Sequence, residues 1–239
     1  MSDLNQSVYD KFASAYHFKR NAESESLWNE YLDRPMILDL LSSIPVGSSI
    51  LDFGCGSGVQ SSFIQNLGYN VTGVDFSEGL IQIAREELPD IPFHISDIRN
   101  TPFKDQSFDV LVSALVLHYI EDLSEVFEEV ARLLIDQGSF IFSIHHPFNE
   151  ILGRDEDKNI KLEPYFKGFS YKWTMLDQME LVSYHHTFED IVTSANAAGF
   201  VIERIVEAKP EKSLADKFPD FYKLTSQIPT FCGFRIKKI

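Results

Sequence analysis

Short apolar runs closed by glycine or a carboxylate alternate along this chain with stretches whose apolar residues fall three and four apart. The first pattern fits buried strands and the second amphipathic helices. Strands are predicted over Ser49–Asp52, Asn70–Asp75, Phe93–Ser96, Phe108–Ser113, Ser139–His145, Phe200–Glu207 and Thr230–Ile239. Between them fall predicted helices over Val59–Leu67, from the Ser77 cap to Leu88, over Leu123–Leu134, and from the Thr187 cap to Ala198. The helix over Leu123–Leu134 carries Val126, Phe127, Val130, Ala131 and Leu134 on one face, and Gly138 ends the stretch. Ahead of the first strand, Tyr9, Phe12, Ala13 and Tyr16 share a helical face, and a second helix begins at Pro35. The alternation predicts an α/β fold, a mostly parallel sheet with helices on both faces. In such sheets ligands bind at the carboxyl ends of the strands, so Asp52, Asp75, Asp97, Ser113 and His145 are expected on one rim.

The periodicity weakens over 147–185, where charges and aromatics mix in Y-F-K-G-F-S-Y-K-W-T. This segment is too short for a core of its own and reads as an insertion over the rim of a single domain, 1–239, whose residues 1–44 form an N-terminal helical segment. Short antiparallel strands are predicted near Ser170–Thr174 and Glu180–Tyr184.

Composition narrows the function. The 239 residues carry a formal net charge of −15, without a basic stripe, which disfavours nucleic acid and other polyanions. No apolar run reaches membrane-spanning length, and the polar first ten residues lack a signal-peptide pattern, so no membrane partner is expected. The two cysteines, Cys55 and Cys232, lie far apart and suit a reducing, cytoplasmic setting.

The candidate chemistry centres on I-L-D-F-G-C-G-S-G, Ile50 to Gly58. A strand end, a glycine bend and a following helix whose first amides face the same space make a cradle for a nucleotide-like ligand. Asp75 closes the next strand, V-T-G-V-D, and a carboxylate there can accept both hydroxyls of a ribose. A dinucleotide fingerprint would place its last glycine or alanine where Val59 stands, which disfavours an NAD-dependent oxidoreductase. No G-K-[ST] follows the glycines, which excludes a P-loop.

In order, D-F-G-C-G-S-G, V-D-F-S, S-D-I and F-D-V-L-V-S-A-L-V-L-H-Y resemble the successive motifs of class I S-adenosylmethionine-dependent methyltransferases, with similarity to the small-molecule branch that includes ubiquinone/menaquinone-biosynthesis-type enzymes. The resemblance implies a Rossmann-like seven-stranded sheet whose last strand is antiparallel, and S-adenosylmethionine as cofactor. It further implies that Gly54, Cys55 and Gly56 line the methionine part, that Asp75 binds the ribose, and that Phe76 lies on the adenine. Asp97 and Ile98 would receive the adenine edge, and Ser113, Ala114 and Leu115 would close over the methionine amino group. Asp52 joins this set as a ligand or as the residue that orders the bend. Tyr16 sits in a Y-D-x-x-A-x-x-Y pattern that in the family folds over the cofactor as a lid.

The acceptor is expected to be a small molecule, methylated by in-line displacement in a monomer or homodimer. Histidine is the usual base where a nucleophile must lose a proton. His118 and His146 are the catalytic candidates, since their strands end at the rim; alternation lets only one of His145 and His146 face the cleft. Tyr119, Trp173 and His185 are expected around the acceptor, with Tyr165, Phe166 and Tyr171 as further walls. The histidines lack metal-ligand spacing, so no metal is expected. The competing reading is a non-catalytic S-adenosylmethionine-binding accessory or sensor protein, which a filled acceptor side would favour.

Overall fold

A computed structural model describes residues 3–22, 26–154, 160–176 and 178–239. In chain order it has helix α1 (Asp3–Asn21), a π-helical turn (Asn29–Asp33) running into α2 (Arg34–Leu41), β1 (Ser49–Phe53), α3 (Val59–Asn66), β2 (Asn70–Asp75), α4 (Glu78–Glu87) and β3 (Phe93–Ile95). Then come β4 (Phe108–Ala114), a 3-10 turn (Leu117–Tyr119), α5 (Leu123–Leu133), β5 (Leu134–His145) and α6 (Pro147–Glu150). The short strands β6 (Leu152–Arg154), β7 (Ile160–Leu162), β8 (Ser170–Thr174) and β9 (Glu180–Tyr184) follow. The chain closes with α7 (Phe188–Ala197), β10 (Phe200–Glu207), α8 (Leu214–Lys217), α9 (Pro219–Thr225) and β11 (Phe231–Lys238).

Seven strands form one sheet in the order β10-β11-β5-β4-β1-β2-β3. All neighbours pair in parallel except β11, which is antiparallel to both β5 and β10. Period-two alternation divides the core into two layers. Leu51, Leu111, Phe140 and Phe142 point to the side of α5 and α7, where they meet Phe127, Val130, Ile191 and Phe234. Ile50, Val110, Val112 and Ile141 point to the other side, against Met36, Ile37 and Leu40 of α2 and Ile64 of α3. Both faces are therefore covered, as the unbroken apolar strands require.

Local signals agree with the elements they start. The Ser77 side chain accepts the Leu80 amide at the head of α4, and Thr187 and Asp190 form a reciprocal capping box on α7. One boundary departs from the pattern. The β5 strand begins at Leu134, five residues before the predicted Ser139; its pairing with β4 is interrupted between Leu134 and Ser139, where Gln137 turns at φ 63°.

Two paired ribbons, β6–β7 and β8–β9, stand apart from the main sheet. The second ribbon packs on α1: Asn5 donates to the Val182 carbonyl at 2.9 Å and accepts the Val182 amide at 3.0 Å. On its other side α1 meets α4, where Asp10 accepts from Ser77 Oγ at 2.6 Å and from the Gly79 amide at 3.1 Å. These contacts hold α1 across the carboxyl ends of the strands. Among the described residues, no helix is long and apolar enough to cross a membrane.

Candidate active site

The glycine bend after β1 is shaped by two backbone demands. Gly54 adopts φ 87° and a Cβ there would lie 2.5 Å from Val116 Cγ2, while Gly58 at φ 81° would press on Leu88 and Phe93. Gly56, at φ 55°, has more room; the nearest heavy atom to its would-be Cβ is Tyr16 Cε1 at 3.7 Å. The bend is anchored by Gly54 and Cys55 donating to the Val74 carbonyl at 2.8 and 3.0 Å.

Asp75 faces this bend. Its Oδ2 accepts the Gly56 amide at 2.9 Å and its Oδ1 accepts the Ser77 amide at 2.9 Å. Burial raises its pKa to about 6 against those amides. Each carboxylate oxygen has a second lone pair, so both remain able to accept from a ligand diol. Asp52 lies deeper and accepts Ser61 Oγ at 2.5 Å; burial, with Asp75 nearby, lifts it to about 7.

Three cavities line up along the rim. A cleft bounded by Gly54, Asp75, Phe76, Asp97 and Ile98 has a volume of about 10 Å³. Beside it, Tyr16, Arg20, Asp52, Gly54, Cys55, Gly56, Val59 and Ala114 enclose about 40 Å³. A larger cavity of about 430 Å³ shares Tyr16, Arg20 and Ala114 with the second and adds Leu115, His118, Tyr119, His145, Trp173 and Phe231. The chemistry of the first two fits an adenosyl amino acid: a carboxylate for the ribose, an aromatic face, and the guanidinium of Arg20, whose buried Nη1 has no hydrogen-bond partner among the described residues. Their volumes are those of one or two waters at most, so Tyr16 and α1 must give way for such a ligand to enter.

The comparisons agree with this geometry. Residues 51–142 match the family model for a methyltransferase domain. A demethylmenaquinone methyltransferase of Paenarthrobacter aurescens is 30% identical over 115 residues, 48% of this chain and 45% of the relative. A malonyl-[acyl-carrier protein] O-methyltransferase of Serratia marcescens is 31% identical over 147 residues, 60% of this chain and 56% of the relative. The crystal structure of an S-adenosylmethionine dependent methyltransferase from Mesorhizobium loti superposes with a TM-score of 0.73 at 26% identity, over 84% of this chain and 96% of that one. Residues 51–142 form a methyltransferase domain, and the fold around it is that of the class I S-adenosylmethionine-dependent methyltransferases. The chain is an enzyme, and S-adenosylmethionine is its cofactor.

In this methyltransferase the structure gathers most of the sequence-derived candidates and separates Ser113, His146, His185, Tyr165 and Phe166. Asp52, Gly54, Cys55, Gly56, Asp75, Phe76, Asp97 and Ile98 bound the two small cavities. Ala114, Leu115, His118, Tyr119, Tyr16 and Trp173 bound the large one. Ser113 does not reach a cavity wall; its hydroxyl is buried and donates to the Phe53 carbonyl at 2.7 Å, tying β4 to β1. His146 is turned away from the cleft. Its Nδ1 accepts the Phe148 amide at the start of α6, its Nε2 lies 3.3 Å from Glu207, and its ring meets Phe188. The inward position belongs to His145, because the side chains of β5 alternate and Pro147 then starts a helix that needs its cap. His185 is withdrawn as well, buried between Glu150 Oε2 at 2.7 Å and the Tyr165 carbonyl at 3.0 Å. Phe166 is 91% exposed and walls nothing, and Tyr165 packs on Phe166 and His185.

The histidines of the large cavity are electrostatically alike. Burial holds His145 down to about 4, and burial with His145 and His186 nearby holds His118 well below the ordinary range. Both rings are neutral at pH 7, and they stack at 4.0 Å and 14°. Both nitrogens of His118 are buried without hydrogen-bond partners among the described residues. Asp97 is the exception among the acids. Burial would raise it, but two-oxygen binding by Arg99 outweighs that and leaves it below its ordinary range.

Sequence reasoning missed Arg20, Trp28 and Phe231, which also wall the large cavity, and Glu150 behind it; Tyr171, expected as a wall, instead stands between His145 and Glu150. The signal for Arg20 was within reach, since it lies four residues after Tyr16 and shares its helical face.

Proposed function

We propose that this methyltransferase transfers a methyl group to a small-molecule acceptor bound in the cavity between α1, the 3-10 turn and the end of β5. S-adenosylmethionine supplies an activated methyl on a sulfonium centre. Asp75 accepts the ribose hydroxyls, Phe76 and Ile98 flank the adenine with Asp97 at its edge, and the bend at Gly54, Cys55 and Gly56 receives the methionine part. Arg20 stands where the donor's carboxylate would lie, and Ala114 and Leu115 mark the passage between donor and acceptor spaces. Residues 1–44 act as a lid through Tyr16, and 147–185 supply the acceptor wall through Trp173.

The observation that carries this reading is continuity. The cleft beside Asp75 meets the space at the glycine bend through Gly54, and that space shares Tyr16, Arg20 and Ala114 with a 430 Å³ cavity lined by neutral imidazoles and aromatic rings. An open acceptor side of this kind suits catalysis and is wasted in a binding-only protein. In-line displacement disperses charge, so the protein's contribution is alignment, up to roughly 7–11 kcal/mol in ideal cases. The net charge of −15 argues for an acceptor that is not a polyanion.

Calorimetry with S-adenosylmethionine, followed by assay of S-adenosylhomocysteine across a metabolite panel, tests the proposal. Binding that Asp75→Ala abolishes, with turnover of at least one small molecule, is the expected result. Binding without turnover of any panel member would leave a donor-binding protein and remove the acceptor assignment.

A further inference from the structure

Behind the acceptor cavity runs a chain of hydrogen bonds that the donor site does not explain. His185 faces two acceptors, the Tyr165 carbonyl at 3.0 Å and Glu150 Oε2 at 2.7 Å. The carbonyl needs a donor, so His185 carries a proton toward it. The proton shared between its other nitrogen and Glu150 Oε2 makes an imidazolium opposite a carboxylate or leaves the pair neutral, since burial raises Glu150, and in both forms Glu150 Oε1 accepts. Burial works against that charge, but Glu150 and the carbonyl outweigh it and raise the His185 pKa. The other oxygen of Glu150 accepts the Tyr171 hydroxyl at 2.9 Å. With its only proton committed there, the Tyr171 oxygen can only accept from His145 Nδ1, 3.1 Å away. The donor directions along this chain are therefore set by the buried carboxylate, and they protonate His145 at Nδ1. Its Nε2 keeps the free lone pair. Stacking on His118 at 4.0 Å and on Phe231 at 5.8 Å, with the Trp173 edge at 5.6 Å, holds the ring plane.

We propose that His145 is the base of the methyl transfer, and that Tyr171 and Glu150 are the positioning residues that hold it in the Nδ1–H tautomer with Nε2 available to the acceptor. This rests on the methyltransferase reading above and narrows its acceptor class. A site that offers a neutral imidazole lone pair is built for an acceptor that arrives with a proton on its nucleophilic atom, a hydroxyl or an N–H, rather than for an already ionised carboxylate. The proton of the acceptor's X–H bond goes to Nε2. The electron pair on X forms the new bond to the methyl carbon, and the pair of the S–CH₃ bond stays on sulfur. One positive charge leaves the sulfonium and one appears on the imidazole, whose Nδ1–H already points through Tyr171 to Glu150. Water then takes the proton from Nε2.

A purely structural Tyr171 would anchor β8 to α6 and would leave the His145 tautomer untouched, which supplies the test. The full chain is labelled with ¹⁵N-histidine and studied by long-range ¹H–¹⁵N correlation with S-adenosylhomocysteine added. The His145 signals are assigned by their loss in His145→Gln. The wild type should show Nδ1 protonated and Nε2 bare. Tyr171→Phe, and Glu150→Gln whose amide can donate instead of accept, should each give a mixed or reversed tautomer while calorimetry shows donor binding unchanged. In the product assay, run on a panel of phenols, alcohols, amines and carboxylic acids, Tyr171→Phe should lower kcat by about 10- to 100-fold and leave KM within about threefold. A wild-type His145 protonated at Nε2, or a tautomer that neither variant moves, overturns the relay even if the enzyme is active. Turnover confined to the carboxylic acids overturns the acceptor class. Donor binding with no turnover at all strikes the proposed function and takes the base assignment with it.

Discussion

Asp75 shows how one side chain ties stability to binding. Two backbone amides hold it against the glycine bend, and burial raises its pKa to about 6. With both oxygens already accepting an amide, protonation takes up a lone pair and removes the charge that strengthens the bonds to a ribose diol. Donor affinity should be constant above about pH 7 and should weaken as the pH falls through 6, as titration calorimetry at stepped pH can check. Asp75→Asn should cost about 1.5–3 kcal/mol of donor binding at pH 7.5, the range for a hydrogen bond to a charged group. Asp52 makes a different contribution. Its folded pKa near 7 stands above the unfolded value of 3.8, so the folded state holds the proton more tightly. The stability this gives is complete at pH below about 4 and is lost as the pH rises through 7. Asp52→Asn keeps an acceptor for Ser61 and has no charge to bury. It should raise the melting temperature at pH 8 and leave it nearly unchanged at pH 4, with a ceiling of about 4 kcal/mol on the pH-dependent part.

At the scale of elements, close approach is the governing constraint. A Cβ at Gly54 would sit 2.5 Å from Val116 in a backbone region that L-residues avoid. Gly54→Ala should destabilise the fold by about 1–3 kcal/mol and weaken donor binding further, as thermal denaturation and calorimetry can separate. The end of β5 shows the same economy. A single residue step decides that His145 enters the acceptor cavity and that His146 caps α6. Both histidines follow an apolar strand and look equivalent in sequence. What distinguishes them is the pairing of His145 with Phe231 on β11, a contact across 86 residues that no local pattern contains.

Across the whole molecule, α1 is held from two sides, by the β8–β9 ribbon through Asn5 and by α4 through Asp10, and Tyr9 bridges to Tyr119 at 2.9 Å. The core sheet has no part in the first two contacts. The proposed lid role requires α1 to move away from the glycine bend while the sheet stays folded, and its buried Tyr9 and Ala13 to part from Leu80 and Tyr119. The donor cavities demand such a movement. Amide exchange over residues 9–16 should be faster than in β4 in the free protein, and should slow when S-adenosylhomocysteine binds. Asn5→Ala should speed exchange there and leave β4 unaffected, as mass-detected hydrogen exchange can show.

Local chemistry was enough to determine the strands, the helices and the glycine bend beside Asp75. Apolar periodicity, the Ser77 and Thr187 caps and the glycine bend act within a few residues, and Asp75 belongs to the strand adjacent to that bend. The individual strands and helices were legible for that reason, whereas the seven-stranded sheet with its antiparallel last strand followed from the family resemblance. On the side of the large cavity, sequence named Tyr16, His118, Tyr119 and Trp173, but tertiary structure alone chose His145 over His146 and brought in Arg20, Trp28 and Phe231. The cavity's walls come from α1, the 3-10 turn, β5, β8 and β11, and the proposed base, His145, is linked to Glu150 through Tyr171, partners that share no element. Tautomer, burial and which of two adjacent histidines turns inward depend on neighbours that only folding brings within hydrogen-bond reach.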